Sequence, residues 1–128
     1  MLVSLTALYA AILAIVTIAL GINVTVHRAR LGISLGDDGN PQMRRMIRLH
    51  GNAAEYVPLA VVLMLIYEIN GGAHLALHII GVGLVAGRVI QTLGMWSSDT
   101  PNLARGAGQT LTWLAVAALA VLNISRIV

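Results

Sequence analysis

The stretch RMIRLHGNAAEYVPLAVVLMLIYEI, residues 45–69, joins a polar beginning to a long apolar continuation. The continuation is apolar enough to cross a bilayer, for which a helix needs roughly 20 mostly apolar residues. The beginning carries Arg45, Arg48, His50, Asn52 and Glu55. Ionisable groups inside a membrane helix are costly and usually mark a functional site. This one segment therefore indicates both the fold class and the place to look for function.

The composition of the whole chain agrees with a membrane protein. Of its 128 residues, 58% are apolar and 10% are charged, whereas a soluble domain has about 25% charged residues. Four apolar runs are long enough to span a membrane, at residues 2–26, 46–69, 74–96 and 104–128. The first run is longer than the apolar part of a signal peptide, and it has no convincing cleavage site. We expect one domain over residues 1–128, an all-α bundle of four transmembrane helices.

Two features of the composition narrow the chemistry. The chain has no cysteine, which excludes disulfides, thiolate metal sites and a protein thiol nucleophile, so a thiol must arrive with a ligand. Its basic residues are eight arginines without a lysine, and guanidinium groups bind carboxylates and phosphates with two parallel hydrogen bonds. Because the arginines lie at the ends of membrane helices, we expect no nucleic-acid partner.

The arginines also predict how the chain lies in the membrane. Four helices place the loop from Arg28 to Arg44 and the loop from Ser97 to Asn102 on one face, with both termini and the turn at residues 70–72 on the other. Most arginines flank the two loops, and only Arg126 belongs to the other face. Positively charged loops stay in the cytoplasm. We therefore predict cytoplasmic loops and termini that are periplasmic or otherwise exoplasmic.

Both loops end in a helix-start signal. Asn40-Pro41 precedes the second apolar run and Thr100-Pro101 precedes the fourth, and each pair joins a capping residue to a proline suited to the first helical position. We therefore expect two helix N-termini, with their positive dipole ends, at the loop face.

Other motifs are assigned to packing. Gly81 and the pair Gly83 and Gly87 are predicted to let another helix approach closely, and Pro58 is expected to kink the second helix or free a carbonyl. His74 and His78 have the i, i+4 spacing of metal ligands. Since only Glu68 could join them, we interpret them as interfacial histidines and expect no metal site.

The polar side chains at the start of the second helix share one face. At 100° per residue, the six of them fall within about a third of the helical circumference; they are Arg44, Arg45, Arg48, Asn52, Glu55 and Tyr56. A carboxylate at Glu55 cannot face lipid, so it needs a protein partner, and Arg48 is the natural one. Such a pair could equally be a buried network that only fixes helix packing.

A surplus of positive charge favours a binding site over a packing device. Arginines outnumber carboxylates at the loop face, and two helix N-termini add positive potential there. A ligand with two carboxylates and one ammonium would match, with the carboxylates on arginines and the ammonium on Glu55. Glutathione has these groups and also brings the missing thiol.

The segment RMIRLHGNAAEYVPLA resembles the signature of the MAPEG family, the membrane-associated proteins in eicosanoid and glutathione metabolism. The resemblance continues through VHRARLGISLGDDGN, EINGGAHLALHIIGVGLVAGRVIQTLG and RGAGQTLTW, and it is strongest to small bacterial inner-membrane members. It implies a homotrimer of four-helix protomers, with glutathione bound near the cytoplasmic helix ends at subunit boundaries.

The resemblance also implies roles for individual residues. Positions that contact glutathione in relatives correspond here to Arg48, Asn52, Glu55 and Tyr56. His50 matches a position that approaches from the neighbouring subunit. Arg28, with His27 as the alternative, matches a basic residue that reaches across the same boundary.

The third and fourth helices supply the remaining site residues. Arg105 corresponds to the arginine that activates the thiol, with Arg88 and Arg28 as alternatives. Arg88 and Gln91 are expected to border glutathione, although Arg88 could equally be a structural partner of Glu55. Gln91, Met95 and Trp96 occupy the segment in which eicosanoid-producing relatives carry tyrosines that hold the tripeptide.

The predicted function is a glutathione-dependent membrane enzyme, similar to a glutathione transferase or peroxidase, that acts on lipophilic electrophiles from the bilayer. The alternative is a non-catalytic member of the family that binds lipid or regulates a partner. A four-helix exporter of drug cations is disfavoured, because it would not surround its membrane glutamate with arginines. Expected partners are glutathione, a lipophilic molecule or lipid, membrane lipids and further copies of the chain.

Overall fold

The computed structural model describes residues 3–97 and 100–127, which form four helices. They are α1 (Ser4–Leu31), α2 (Pro41–Ile69), α3 (His74–Ser97) and α4 (Leu103–Ile124). At 1.5 Å per residue even the shortest is about 33 Å long, more than the roughly 30 Å hydrocarbon core of a bilayer. All four are long and apolar enough to cross a membrane, which confirms the predicted all-α, four-helix membrane fold. The predicted outer limits Leu2 and Val128, and positions 98 and 99 of the second loop, lie outside the described residues.

The helix ends around the first loop differ from the limits of the apolar runs. The first helix was expected to end at residue 26 but continues to Leu31, where Gly32 adopts a left-handed conformation with φ 68° and its backbone N–H bonds the carbonyl of Arg28. The second helix begins at Pro41, five residues before the apolar run, which confirms the start predicted from Asn40-Pro41. There the side chain of Asn40 accepts a hydrogen bond of 2.9 Å from the backbone N–H of Met43. Hydropathy marks the depth of the membrane, whereas caps decide where a helix ends.

Two contacts show which ends of the helices lie together. The Glu68 carboxylate, near the end of α2, accepts hydrogen bonds from the backbone N–H groups of Leu5 at 3.0 Å and Thr6 at 2.7 Å. Near the chain's other end, Arg126 Nη2 donates to the carbonyl of Gly71 at 2.8 Å. Both ends of the described chain and the α2–α3 turn therefore share one face, here called the turn face. The two longer connections lie on the opposite, loop face.

Glu68 has a role at the turn face that its sequence context did not suggest. The residue before α1, Val3, offers no side-chain cap, and the Glu68 carboxylate supplies the missing acceptor at the positive end of that helix. The nearby His78 instead pairs through Nδ1 with the Tyr9 hydroxyl at 2.9 Å. Within residues 3–97 and 100–127 no three metal-ligating side chains are grouped. This face is thus built from contacts that close the bundle.

The bundle places α2 and α3 in the middle, with α1 on one side and α4 on the other. Its larger apolar core fills the half near the turn face; members from the four helices include Leu13, Met64, Leu77 and Leu119. A smaller cluster of Leu20, Leu49, Ala53 and Met95 lies toward the loop face. The loop-face half is therefore less completely filled by apolar side chains, and it is there that the polar side chains gather.

Glycines set the distances between the helices. A Cβ atom at Gly81 would lie 2.4 Å from the Tyr9 ring, and one at Gly87 would lie 3.0 Å from the Gly108 carbonyl oxygen, so both predicted close approaches are confirmed. Gly83 has no atom within 4 Å of its Cβ position among the described residues, so the predicted contact there is not formed within the chain. Gly108, which was not predicted, is a further close approach between α4 and α3, because its Cβ would lie 2.4 Å from the backbone nitrogen of Gln91.

We predict that Gly108→Ala separates α3 from α4 and lowers the free energy of unfolding by about 1–3 kcal/mol, because the new methyl group meets backbone atoms that cannot move independently. Gly106→Ala is the matched control, since this glycine lies one half-turn away on the same helix and no other part of the described structure comes within 4 Å of its Cβ position. That change should be neutral or stabilising by up to about 1 kcal/mol. Thermal unfolding in detergent micelles measures both, and equal losses in the two variants would contradict the close approach.

Candidate functional site

An open groove at the loop-face half of the bundle collects most of the predicted site residues. It has a volume of about 440 Å³, within the usual range for small-molecule sites. Helices α2, α3 and α4 and the residues just before α4 contribute its walls: Arg48, Asn52, Glu55, Tyr56, Gln91, Pro101, Asn102, Arg105, Gly106, Gln109 and Trp113. Six of the nine predicted site residues therefore line one groove.

The α2 wall follows from the helical repeat. Arg48, Asn52, Glu55 and Tyr56 are spaced i, i+4, i+7 and i+8, and residues at these intervals lie on one side of a helix. Arg48 Nη1 lies 3.5 Å from Glu55 Oε1, which confirms the predicted partner. The side chains of the pair are 59% and 54% exposed, so Glu55 faces the open groove and is not part of a buried network. An exposed ion pair contributes little to stability, so both charged groups are available to a ligand.

The α4 wall depends on the cap of that helix. Thr100-Pro101 was predicted to start it, but the cap is Asn102, whose Oδ1 accepts from the backbone N–H of Arg105 at 2.9 Å. Asparagine also has a separate donor, and Nδ2 bonds the Gly94 carbonyl at 2.7 Å. One side chain thus caps α4 and ties it to the end of α3, which explains why the helix begins two residues later than expected.

Arg105 is consequently fixed at the third position of α4. Its backbone nitrogen lies so near α3 that a Cβ at Gly94 would be 2.4 Å away. The described residues form no hydrogen bond or ion pair with its guanidinium, which lines the groove opposite Arg48. Since the first turn of a helix carries positive potential, this position concentrates positive charge from the side chain and from the backbone.

The floor of the groove is organised by Arg88, which is only 3% exposed. Its Nη1 donates to Asn52 Oδ1 at 2.6 Å, and its Nε and Nη2 donate to Thr112 Oγ1 at 3.1 and 2.6 Å. Gln109 Oε1 lies 3.5 Å from Nη2, and the Tyr56 ring centroid lies 6.0 Å from the guanidinium carbon. Every one of these acceptors is neutral. Arg88 therefore borders the site from behind and is not the ion-pair partner of Glu55.

This network orients two amide groups. Asn52 turns its oxygen toward Arg88, so its NH₂ group remains available to the groove. Gln109 Oε1 accepts from Gln91 Nε2 at 2.6 Å, and Gln109 Nε2 is buried with no hydrogen-bond partner among the described residues. The groove thus presents guanidinium and amide donors together with one carboxylate. Such a set can hold an anion that also carries an ammonium.

Two predicted site residues, Arg28 and His50, lie outside the groove. Arg28 Nη1 donates to the Gly36 carbonyl at 2.9 Å. His50 packs against α1, where a Cβ at Gly21 would lie 3.2 Å from its Nε2. The alternative to Arg28, His27, is engaged with the Asn23 carbonyl at 2.8 Å and lies 3.2 Å from the Gln42 side chain. Both predicted residues belong to the α1 side of the bundle, away from the groove.

Gln109, Thr112 and Trp113 were not predicted, although the sequence contains a signal for them. Counting from Arg105, they follow at i+4, i+7 and i+8. Asn52, Glu55 and Tyr56 follow Arg48 at the same intervals. The two helices therefore present an arginine, an amide and an aromatic side chain in the same order, and a search of α4 for the α2 spacing would have found this second wall.

We predict that Thr112→Val lowers the free energy of unfolding by about 1–3 kcal/mol, because it keeps the side-chain shape but removes an acceptor that receives two hydrogen bonds from the buried Arg88 guanidinium. Thr110→Val is the matched control, because that threonine is exposed on the same helix and should change stability by no more than about 0.5 kcal/mol. Chemical unfolding in micelles compares them. A loss no greater than that of the control would mean that Thr112 does not support the guanidinium.

Comparison with known proteins agrees with the geometry. A model of the MAPEG family matches residues 6–125. Two curated relatives, both called inner membrane protein YecN, come from Escherichia coli strain K12 and strain O6:H1. Each is 34% identical over 125 residues, covering 93% of this chain and 89% of the relative. Together with its four spanning helices, this likeness identifies a multi-pass inner-membrane protein. The chain belongs to the MAPEG family.

Proposed function

We propose that this protein is a glutathione transferase of the inner membrane, which binds glutathione in the groove between α2, α3 and α4 and adds its thiolate to lipophilic electrophiles from the bilayer. The observation that carries the proposal is the half-exposed pair of Arg48 and Glu55, which faces Arg105 across a single groove. A carboxylate placed among guanidinium groups suits a ligand with both kinds of charge.

The groups of glutathione match the groups of the groove. A carboxylate of glutathione can take bidentate hydrogen bonds from Arg48, which leaves Arg105 for the thiol. Its ammonium can replace part of the Arg48 contact at Glu55. Its peptide groups can accept hydrogen bonds from the amide of Asn52 on the floor. Since the chain has no cysteine, the ligand supplies the thiol.

Arg105 is placed to favour the reactive form of that thiol. A free thiol has a pKa near 8.5, and cationic neighbours or a helix N-terminus lower the pKa by one or more units; Arg105 offers both. With an aryl halide, the thiolate forms the new C–S bond, the halide leaves with the electrons of the broken bond, and the thiol proton passes to solvent. The open apolar rim at Trp113 gives an electrophile access from the bilayer.

The loop face is proposed to be cytoplasmic, where glutathione is held in its reduced form. Six of the eight arginines belong to this face, and only Arg126 belongs to the turn face. This distribution follows the positive-inside rule. The termini would then be periplasmic.

The alternative, a family member that binds lipid or regulates a partner without catalysis, is favoured by one contact. Gln91 uses its amide in the internal bond to Gln109 at 2.6 Å and has no phenol to offer at the position where eicosanoid-producing relatives carry tyrosine. Binding would then rely on the arginines alone. Measurements that separate binding from turnover distinguish the two functions.

The first test is whether binding and activation are separable. Glu55→Gln should weaken glutathione binding roughly 10- to 100-fold, because it removes a charge-assisted hydrogen bond. Arg105→Leu should leave glutathione binding within a few fold, remove most conjugation of a model aryl halide, and move its pH–rate profile to higher pH, because the thiol loses the cation that favours its ionised form. Calorimetry in micelles and initial rates measure the two effects.

Arg30→Gln is the control for both variants, since it removes one exposed charge from the same face but outside the groove. Unchanged affinity in an assembled Glu55→Gln variant would contradict the ammonium contact. Wild-type turnover with an unshifted profile in Arg105→Leu would exclude that arginine as the activating group. Glutathione binding without turnover of any electrophile in the wild type would support the non-catalytic alternative.

We further propose a homotrimer in which Arg28 and His50 of one protomer complete the groove of the next, because both lie on the α1 side, away from the groove of their own chain. Arg28→Gln and Glu55→Gln should each reduce binding, and mixing the two variants should restore about a quarter of the wild-type sites, since only boundaries with both intact residues bind. Light scattering should report three copies per micelle. A monomer, or mixed assemblies no better than either variant, would contradict the shared site.

A further inference from the structure

A second cavity lies beside the groove at the loop face and is lined mainly by arginines. It has a volume of about 280 Å³, and its walls are Pro41, Arg44, Arg45, Arg48, Met95 and Arg105; we call it the arginine chamber. Arg48 and Arg105 line both the chamber and the groove. The chamber therefore lies behind these two residues and extends toward the start of α2.

Among the described residues, the chamber walls carry four guanidinium groups and no carboxylate. From outside the walls, Asp37 pairs with Arg44, and Glu55 pairs with Arg48 from the groove. Arg45 is also engaged in an interaction. The hydrogen bond from Arg44, with that from the backbone of Gly39, lowers the pKa of Asp37 below its usual value. The first turn of α2 begins at Pro41 and adds its dipole to the same space.

The depth of the chamber matches the level of lipid headgroups. Helix α2 has 29 residues, so it is about 43 Å long at 1.5 Å per residue, and its apolar part alone accounts for the roughly 30 Å hydrocarbon core. The arginines of the chamber belong to its first two turns and to the first turn of α4. They therefore lie at the membrane surface, where phosphate groups are concentrated. Basic pockets between membrane helices at this level bind lipid headgroups.

The volume of the chamber and the number of its guanidinium groups determine which anions it can bind. Its volume corresponds to about nine water molecules, so it accepts a compact headgroup but not an acyl chain. A carboxylate is saturated by one or two guanidinium groups, whereas a phosphate offers more oxygens, spread in three dimensions, to several of them. Met95 gives the inner wall an apolar patch, against which the glycerol part of a lipid can lie.

We propose that the arginine chamber binds the phosphate group of an anionic phospholipid from the adjoining leaflet, as a site distinct from the glutathione groove. Free inorganic phosphate shares this chemistry and is the other possible source of the group. Arg44 and Arg45 belong to the chamber alone, whereas Arg48 and Arg105 are shared with the groove. Substitutions of the first two residues therefore test the chamber without touching the proposed glutathione site.

The test measures lipid retention by native mass spectrometry of the assembled protein in non-ionic micelles, with glutathione absent. Short-chain phosphatidylglycerol, phosphatidylcholine and inorganic phosphate are added in separate experiments. Phosphatidylglycerol should be retained more strongly than phosphatidylcholine, and Arg45→Gln should weaken its retention about ten-fold, the effect of losing one charged hydrogen bond. Arg30→Gln removes one exposed cation from the same face and should leave retention unchanged.

A second pair of variants separates charge from loop structure. Arg44→Gln and Asp37→Asn both break the Arg44–Asp37 contact, but only the first removes a cation from the chamber. Retention should fall in Arg44→Gln and stay equal or rise in Asp37→Asn. If inorganic phosphate binds with the same dependence on Arg45 while the lipid does not, the phosphate site stands and its source is the soluble anion.

Three results would overturn the proposal. The first is equal retention of phosphatidylcholine and phosphatidylglycerol with no binding of inorganic phosphate. The second is an equal loss of lipid in Arg30→Gln and Arg45→Gln, which would indicate general surface attraction. The third is a loss of glutathione affinity in Arg45→Gln as large as its loss of lipid, which would make the chamber part of the glutathione site. Since lipid is measured without glutathione, failure of the proposed enzyme activity would leave this test unaffected.

Discussion

Burying the guanidinium of Arg88 between three helices is costly unless its N–H groups find acceptors, and here those acceptors come from α2 and α4. Asn52 and Thr112 receive hydrogen bonds of 2.6 Å each, so neither helix can shift along α3 without exposing an unpaired charge. Because all the acceptors are neutral, the positive charge is not cancelled within the network. One side chain therefore fixes the positions of the two walls of the groove and adds to the attraction of an anion.

The N-termini of the helices are capped differently at the two faces of the bundle. At the turn face the positive end of α1 receives the Glu68 carboxylate of its own chain, the apolar core reaches close to that surface, and the charges there are satisfied internally. At the loop face, the caps of α2 and α4 are the neutral side chains of Asn40 and Asn102. Neutral caps satisfy the backbone N–H groups but leave the helix dipoles uncompensated. Within residues 3–97 and 100–127, no carboxylate at the loop face takes the place that Glu68 takes at the turn face, so the positive potential there remains available to a ligand.

The sequence was sufficient to predict whatever depends on local pattern. Four spans follow from hydropathy, the start of α2 follows from Asn40-Pro41, and the Arg48–Glu55 contact follows from their spacing on one helix. The predictions that differ from the structure all depend on contacts with a second helix. Asn102 is the cap instead of Thr100, because its amide also bonds the carbonyl of Gly94 on α3. Gly83 makes no contact among the described residues, because the neighbouring helices approach α3 at Gly81 and Gly87. Similarly, the sequence left open whether Arg88 borders the ligand or pairs with Glu55, and its acceptors are Asn52 on α2 and Thr112 and Gln109 on α4. Contacts with neighbouring helices therefore decide between local structures that the sequence alone does not distinguish.

The openness of the groove argues that its charged groups are arranged for a ligand and not for stability. Arg48 and Glu55 are both more than half exposed at a contact of 3.5 Å, a geometry that contributes little to folding. Both residues lie on α2, and the hydrogen bond from Arg88 to Asn52 fixes that helix against α3. The backbone that carries these weakly paired charges is already ordered when the protein folds, so the entropy of ordering it is lost before a ligand binds. A ligand with complementary charges then gains its hydrogen bonds without that cost, which is the physical basis of preorganised binding.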